Sequence, residues 1–599
     1  MVRAGGALTG VGAEEAVVPA LVVLVIVLGI YYLGWRYYSV YLAEKVYVLD
    51  DALVTPAHTM EDGVDYVPTS KHVLFGHHFT SVAGAAPIVG PAIAVFWGWV
   101  PALVWVVLGT IFAAGVHDFG SIVVSIRNRA QNIGTLTQSV INNRSRTLFL
   151  LIIFFLLTLV NAVFAVVIGN LFVANPGAVI PIVLEIPLAI AIGAYIYRTK
   201  SNALVPSLVG VAILYLLIIV GQAYPIELDG VAEIFGIGPR TLWIVLLFFY
   251  AFIASRIPVW VLLQPRDYIN SHQLFIALAV VFLGLLIGFD RIVAPALNTG
   301  LPEGTPNFFP FLFVTIACGA ISGFHSLVAS GTTSKQLAKE TDARHVGYLG
   351  AVGEGSLALA AILATTAGIA AVGLEWGELY SDFGTASGGA VGNFVQGIAG
   401  FAGHLGVPTD YGTIFAAVVV ISFAATTMDT GVRLQRYIIQ EIGDLVGTRR
   451  DGTRRDGVGR SFQNATRNLT IVTAMAVIVP LALALAPGGG EEGYAFGRLW
   501  TLFGTTNQLT AGLALSVIAV YVTRHGRNPL AQLIPLVFLL TMTVWALLLN
   551  LRDFIQEGDW VLAPLDAIIL VLAGWLIVEA FLGLRRARAG EPMPTEVER

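Results

Sequence analysis

About fifteen apolar segments, each close to 20 residues long and separated by short polar turns, constrain this chain more than any other feature. They run over 17–41, 78–99, 101–126, 147–173, 178–197, 204–223, 240–263, 271–289, 309–334, 346–372, 412–435, 466–486, 497–523, 531–551 and 563–585. A bilayer core takes about 20 helical residues to cross. Only helices and closed barrels satisfy their own backbone in lipid, and runs of this length require helices. At 56% hydrophobic and 12% charged residues, with a mean hydropathy of +0.80, the chain could not cover a water-facing surface. The expected fold class is all-α: a polytopic membrane protein of about 15 transmembrane helices, forming one domain over 1–590 with a polar cytoplasmic tail at 591–599.

Loop charges orient the segments. Arg127, Arg129, Arg144 and Arg146 share one loop, and Arg198 and Lys200 the next loop but one. The same side then collects Arg266; Lys335, Lys339 and Arg344; Arg449, Arg450, Arg454, Arg455, Arg460 and Arg467; Arg524 and Arg527; and Arg585, Arg586 and Arg588. Alternate loops carry acids: Glu227, Asp229 and Glu233; Glu375, Glu378 and Asp382; Glu491 and Glu492; Glu557 and Asp559. This pattern puts the C-terminus and the hydrophilic loop 441–465 in the cytoplasm. It also requires the glycine-rich stretch 388–404 not to cross, because a crossing there would reverse every later loop. Glu14 and Glu15 precede the first apolar run and only Arg3 is basic, so that run reads as a retained helix rather than a signal peptide.

Other classes find little support. Cys318 is the only cysteine, which leaves no internal disulfide and no cysteine-based metal site. No HExxH motif occurs and no nucleophile–base spacing stands out, so an enzyme is not expected. No basic domain invites nucleic acid. The expected partners are the bilayer and a small-molecule substrate, with the oligomeric state open.

Two stretches look alike: His78-Phe79-Thr80-Ser81-Val82-Ala83-Gly84-Ala85-Ala86-Pro87 and His325-Ser326-Leu327-Val328-Ala329-Ser330-Gly331-Thr332-Thr333-Ser334. The charge map runs them in opposite directions. A second pair follows, Val116-His117-Asp118-Phe119-Gly120-Ser121-Ile122 and Val352-Gly353-Glu354-Gly355-Ser356-Leu357. Inverted repeats with broken helices build the midplane substrate site of many secondary transporters. On this basis 78–223 and 309–523 are the two repeats. An extra helix at 17–41, inserted helices at 240–289 and further helices at 531–585 complete the chain. The backbone near Gly84 and Gly331 is predicted to be non-helical and to line a cavity.

Charges inside the bilayer are costly and need a reason. Glu185 is the deepest carboxylate; it either satisfies a carbonyl freed by Pro187 or relays protons. Asp429 closes a run with Ser422, Thr426 and Thr427 that suits a hard cation, a candidate sodium site; the alternative is back-bonded threonines and an Asp429–Arg433 pair. Asp118 and Glu354 are placed near cytoplasmic helix ends, as anchors for Lys or Arg or as coupling groups. Asn507 and Gln508 bond a neighbouring helix or contact substrate. His77 and His78 point to different helix faces and do not share a metal. The candidate substrate-binding set is His78, Thr80, Ser81, Gly84, Ser322, His325, Ser330, Gly331, Thr332, Asn507 and Gln508. The candidate proton-coupling set is Asp118, Glu185, Glu354 and Asp429. No cofactor is expected beyond a candidate Na⁺.

Six motifs carry a family resemblance: the stretch from His78 to Gly84; Asp118-Phe119-Gly120; Pro258-Val259-Trp260 with Gln264-Pro265-Arg266-Asp267-Tyr268; Ser322-Gly323-Phe324-His325-Ser326; Ser330-Gly331-Thr332-Thr333-Ser334-Lys335-Gln336; and Phe503-Gly504-Thr505-Thr506-Asn507-Gln508. Over roughly residues 70–550 the chain resembles the carbon starvation protein A family; Arg256 departs from it, standing where a neutral residue is expected. The resemblance implies a plasma-membrane carrier of a bacterium or archaeon, in the amino acid/polyamine/organocation superfamily, with a LeuT-like inverted repeat and two discontinuous helices. It implies peptides or pyruvate as substrate, proton coupling, and use when carbon is scarce. The alternatives are a sodium-coupled symporter and, with less support, a channel or a nutrient sensor.

Overall fold

A computed structural model describes residues 18–63, 65–199, 203–258, 260–447, 457–486 and 496–591. Arg3, Glu14, Glu15, Lys200, Val259, Arg449, Arg450, Arg454, Arg455, Glu491 and Glu492, with the tail beyond 591, lie outside the described residues. Among the described residues the ordered elements are helices; the only β pairing is two isolated bridges. Eleven helices are long and apolar enough to cross a membrane, thirteen if each of two bent pairs counts as one span. The expected fifteen is not reached by that measure. The Pro239–Ala254 helix has only 16 residues, and the segment from Phe308 to Gln336 is broken into short pieces. Helices nevertheless occupy every expected segment. The chain is thus an all-α, multi-pass membrane protein.

Two of the apolar segments are discontinuous. The first broken helix comprises Lys71–Val82 and Ala86–Trp97, bent by 51°. Ala83 leaves the helical region (φ −79°, ψ 59°), and Pro87 sits in the first turn of the outer half, where its missing N–H costs nothing. The second comprises Phe308–Thr315 and Ala317–Ala320, then an extended Ile321 and Ser322, then helix again from Gly323. The Asn507 side chain occupies this second break. Its Oδ1 accepts from Phe324 N–H at 3.1 Å and from the Ser322 hydroxyl at 3.3 Å, satisfying donors that a helix start leaves open. Gly323 makes room for it: a Cβ there would lie 2.4 Å from the Asn507 carbonyl oxygen.

The expected non-helical backbone is found at Gly84 and not at Gly331. Gly331 lies in a π-helical turn, Ala329–Thr333, and the interruption comes ten residues earlier. A residue-by-residue equivalence of the two similar stretches would have put the second break at 330–332. Their likeness is one of small-residue composition, not of position in the fold.

The glycine-rich stretch forms one helix, Phe383–His404, and both of its ends pack near the same loop. At one end Phe383 stacks on Phe96 and Trp97. The Trp97 carbonyl accepts from Asn298, in the loop that follows Leu263–Gly288. At the other end His404 bonds Asp290, at the start of that loop. A helix that begins and ends on one face does not traverse the bundle. Gly98 (φ +116°) makes the tight turn beside it, where a Cβ would lie 2.6 Å from the Ala296 carbonyl oxygen.

Helix boundaries move one expected feature. The apolar windows 240–263 and 271–289 become Pro239–Ala254 and Leu263–Gly288, so Arg266 sits in the first turns of a buried helix instead of a loop. The Gly497–Arg524 helix is enclosed on every side, whereas Ala20–Tyr47 and Leu562–Arg588 stand at the rim.

Candidate transport site

A cavity of 590 Å³ lies between the inner halves of the two broken helices. Ser81 lines it from the first, Gly331 and Thr332 from the second. Leu263–Gly288 contributes Asp267, and Thr409–Gly447 contributes Thr430 and Arg433. Its mouth is formed by Asp65, Tyr66, Gln131, Asn132 and Lys335, so it opens on the face of the basic loops. Three polar atoms of its lining residues lack partners: His77 Nε2, Asp267 Oδ1 and Arg433 Nε. The other atoms of these groups are engaged. Asp267 Oδ2 is 3.2 Å from His77 Nδ1, and Arg433 Nη2 donates to the Ile257 carbonyl at 2.6 Å.

A first buried network stands deeper. His325 Nδ1 is 2.9 Å from Asp118 Oδ2, and its Nε2 is 3.1 Å from Glu354 Oε1. His117 Nδ1 is 2.7 Å from Asp118 Oδ1, and His78 Nδ1 is 2.8 Å from the Thr333 hydroxyl. Every one of these side chains is at most 1% exposed. One imidazole thus bridges two carboxylates carried by different helices. Asp118 and Glu354 lie on Trp99–Arg127 and Arg344–Ala371, and Arg127, at the end of the first, pairs at 2.6 Å with Glu340, in the loop before the second. Asp118 and Glu354 do not anchor a surface Lys or Arg, as a helix-end position would have them do.

A second buried network centres on Arg266. Its Nε reaches Glu185 Oε1 at 3.3 Å, and its Nη1 reaches Asp429 Oδ2 at 2.9 Å. Tyr250 donates to the same Asp429 oxygen at 2.7 Å, and Ser422 donates to Glu185 Oε2 at 3.1 Å. The local ion-pair and carbonyl alternatives do not survive, although Thr427 does back-bond to its own helix. Glu185 does not answer a carbonyl freed by Pro187, and Asp429 takes its cation from Arg266, because Arg433 is turned to the carbonyls of Ala254 and Ile257.

The hydroxyl run is divided among separate partners. Ser422 serves Glu185, Thr426 accepts from Asn270 at 2.8 Å, and Thr427 back-bonds to Phe423. Among the described residues no group of three or more His, Cys, Asp or Glu side chains is arranged around a metal position.

Of the candidate substrate-binding residues, Ser81, Gly331 and Thr332 line the cavity. The others do not. Thr80 back-bonds to Gly76, and Gly84 packs so closely on Thr427 that a Cβ would come 2.6 Å from its hydroxyl. Ser322 and Asn507 close the second break, Gln508 donates to the Leu539 carbonyl of a neighbouring helix, and Ser330 accepts from Ile133 N–H. His78 and His325 belong to the first buried network. Sequence reasoning missed Arg266 as a buried charge, together with Asp267, Tyr250 and Asn270, and named Arg433 only as a partner for Asp429.

Discontinuous helices enclosing a polar cavity, with ion pairs held below them, define a membrane transporter and not an enzyme. The chain belongs to the family of carbon starvation protein CstA, whose family model matches residues 19–375 and 377–546. The peptide transporter CstA of Mycobacterium tuberculosis is 33% identical over 86% of this chain and 73% of its own length. The pyruvate/proton symporter BtsT of Escherichia coli is 29% identical over 89% of this chain and 82% of its own. Among solved structures, the manganese transporter of Eremococcus coleocola is similar over 88% of this chain and 99% of its own, at 13% identity and a TM-score of 0.47.

Proposed function

We propose that this chain is a secondary active carrier that takes up small carboxylate-bearing nutrients, peptides or pyruvate, coupled to protons and used when carbon is scarce. It would reside in the plasma membrane of a bacterium or archaeon, with its C-terminus in the cytoplasm. Segments 78–223 and 309–523 would be its inverted halves. The named relatives support both substrate classes, and BtsT supports the proton.

The observation that carries the reading is the buried Asp118–His325–Glu354 line. A histidine between two carboxylates takes and releases protons without the closed coordination shell that sodium needs. It sits on the half-helix that begins at the second break and lines the cavity further along. Loading a proton there alters an ion pair on the element that would move in alternating access. The commitment of Ser422, Thr426 and Thr427 to separate partners supports the same choice over sodium. In the cavity, the open valences of Arg433 and Asp267 suit a carboxylate and an ammonium respectively. Both ends of a peptide would be answered, and only the acid of pyruvate.

The test is uptake into liposomes by purified protein, comparing labelled pyruvate with labelled alanyl-alanine under imposed proton or sodium gradients. Accumulation driven by a pH gradient in sodium-free buffer is expected. Uptake that is strictly sodium-dependent and indifferent to pH would replace the proton with sodium.

A further inference from the structure

The first helix, Ala20–Tyr47, sits at the rim of the bundle, yet it sends one polar atom to the centre. The Tyr31 hydroxyl is buried, with its residue 1% exposed, and Thr110, in a π-helical turn of Trp99–Arg127, is likewise 1% exposed. The two hydroxyls lie within interaction distance of each other, and neither is aligned with any other partner. The two converge on Gly355, where a Cβ would lie 2.7 Å from the Tyr31 oxygen and 2.4 Å from the Thr110 oxygen. Gly355 follows Glu354 directly, and Tyr31 is close enough to Glu354 to feel its charge. On its other side Glu354 Oε1 lies near His325 Nε2, but without hydrogen-bond alignment. Buried polar atoms are partnered in the great majority of cases. Here two hydroxyls with no partner beyond each other stand beside the residue that follows Glu354, whose own contact with His325 is misaligned.

We infer that Glu354 has two resting places, His325 and the Tyr31–Thr110 hydroxyl pair, and that it changes between them when it takes up the coupling proton. This rests on the proton-coupled reading above. With Glu354 charged, the carboxylate stays against the imidazolium of His325. A proton then passes from His325 Nε2 to a Glu354 oxygen, leaving both groups neutral and their attraction spent. The carboxylic acid turns away and donates its O–H to one of the two waiting hydroxyl oxygens, while its carbonyl oxygen accepts from the other. Return of the proton reverses the swing. The remaining groups that face this chamber are Asp118 and His117 on Trp99–Arg127, His78 on the first broken helix and the Cys318 thiol on the second. Asp118 holds His325 from the far side in both positions. Tyr31 and Thr110 are therefore positioning residues, and the first helix, outside both repeats, belongs to the coupling machinery.

The test uses the full-length chain in liposomes, with labelled pyruvate and labelled alanyl-alanine as probes and accumulation followed across external pH. The hydroxyls stabilise neutral Glu354, so their loss should move half-maximal accumulation to more acidic pH. Tyr31→Phe and the nearly isosteric Thr110→Val should each shift it by roughly half a unit to one unit, about the worth of one hydrogen bond. Substrate exchange in symmetric acidic buffer should persist in both. Tyr32→Phe, on the exposed face of the same helix, should shift nothing. A wild-type midpoint in both Tyr31→Phe and Thr110→Val overturns the swing while leaving proton coupling intact. A wild-type protein indifferent to the pH gradient overturns the coupling reading itself.

Discussion

Replacing Arg266 by methionine tests whether the midplane charges were correctly paired. The guanidinium is 1% exposed, Glu185 0% and Asp429 3%, so neither carboxylate can turn to water when the cation is lost. Methionine keeps most of the apolar stem, which separates the charge from the packing. Removing one partner of a buried ion pair typically costs about 3–5 kcal/mol, chiefly because the other charge stays behind. Two pairs share one cation here, so their losses do not add, and a deficit of about 3–5 kcal/mol is expected. The Tyr250 and Ser422 hydroxyls continue to donate to the two acids and limit the damage. The assay is equilibrium unfolding in detergent followed by tryptophan fluorescence. The triple variant Arg266→Met, Glu185→Gln, Asp429→Asn removes all three charges at once and should recover much of the loss, since uncharged replacements of a buried triad are often tolerated. If Arg266→Met unfolds within about 1 kcal/mol of wild type, an ordinary single-substitution effect, the pairing is wrong. A triple variant no more stable than the single one would refute the charge argument separately.

Three further outcomes are expected. In a Cys318→Ala background, single cysteines at Thr453 and Asp382 should react with an impermeant thiol reagent from opposite sides; labelling of both from outside would reverse the orientation. Gly331→Val should abolish uptake in liposomes while the protein stays folded by size exclusion, because nothing stands within 4 Å of a Cβ there and the added methyls enter the cavity. Unchanged uptake would put the substrate elsewhere. Glu354→Gln, a mimic of the permanently neutral acid, should lose gradient-driven accumulation and keep exchange; full accumulation in this variant would remove Glu354 from coupling.

The helical segments were legible in the sequence, because lipid leaves the backbone little choice. Loop charge predicts that 388–404 does not cross, and the common loop contacted by Phe383 and His404 is compatible with that expectation. The breaks were half legible. Gly84 with Pro87 marks the first, where proline and small residues weaken a helix locally. The second is enforced from outside by Asn507, a residue on another helix, and no local signal in Ile321-Ser322 announces it.

The partners of the midplane charges show the same limit more sharply. Each expected partner was the one nearest along the chain: Arg433 for Asp429, the carbonyls around Pro187 for Glu185, terminal Lys or Arg for Asp118 and Glu354. Apart from His117 beside Asp118, each observed partner comes from another helix. Arg266 takes both Glu185 and Asp429, and His325 takes both Asp118 and Glu354. The reason is desolvation. In lipid a lone buried charge costs more than the ordering of two helices around an opposite charge, so pairing is settled by which helices pack, not by sequence distance. The two networks then divide the molecule's polar interior. One ties Pro176–Thr199, Pro239–Ala254, Leu263–Gly288 and Thr409–Gly447 around a permanently charged guanidinium, which holds its cation at any pH at which the protein works. The other ties Trp99–Arg127, Arg344–Ala371 and the second broken helix around an imidazole, a side chain that can carry a proton or give it up. On the proton-coupled reading, the histidine cluster would belong to the helices that rearrange and the arginine cluster to those that stay fixed.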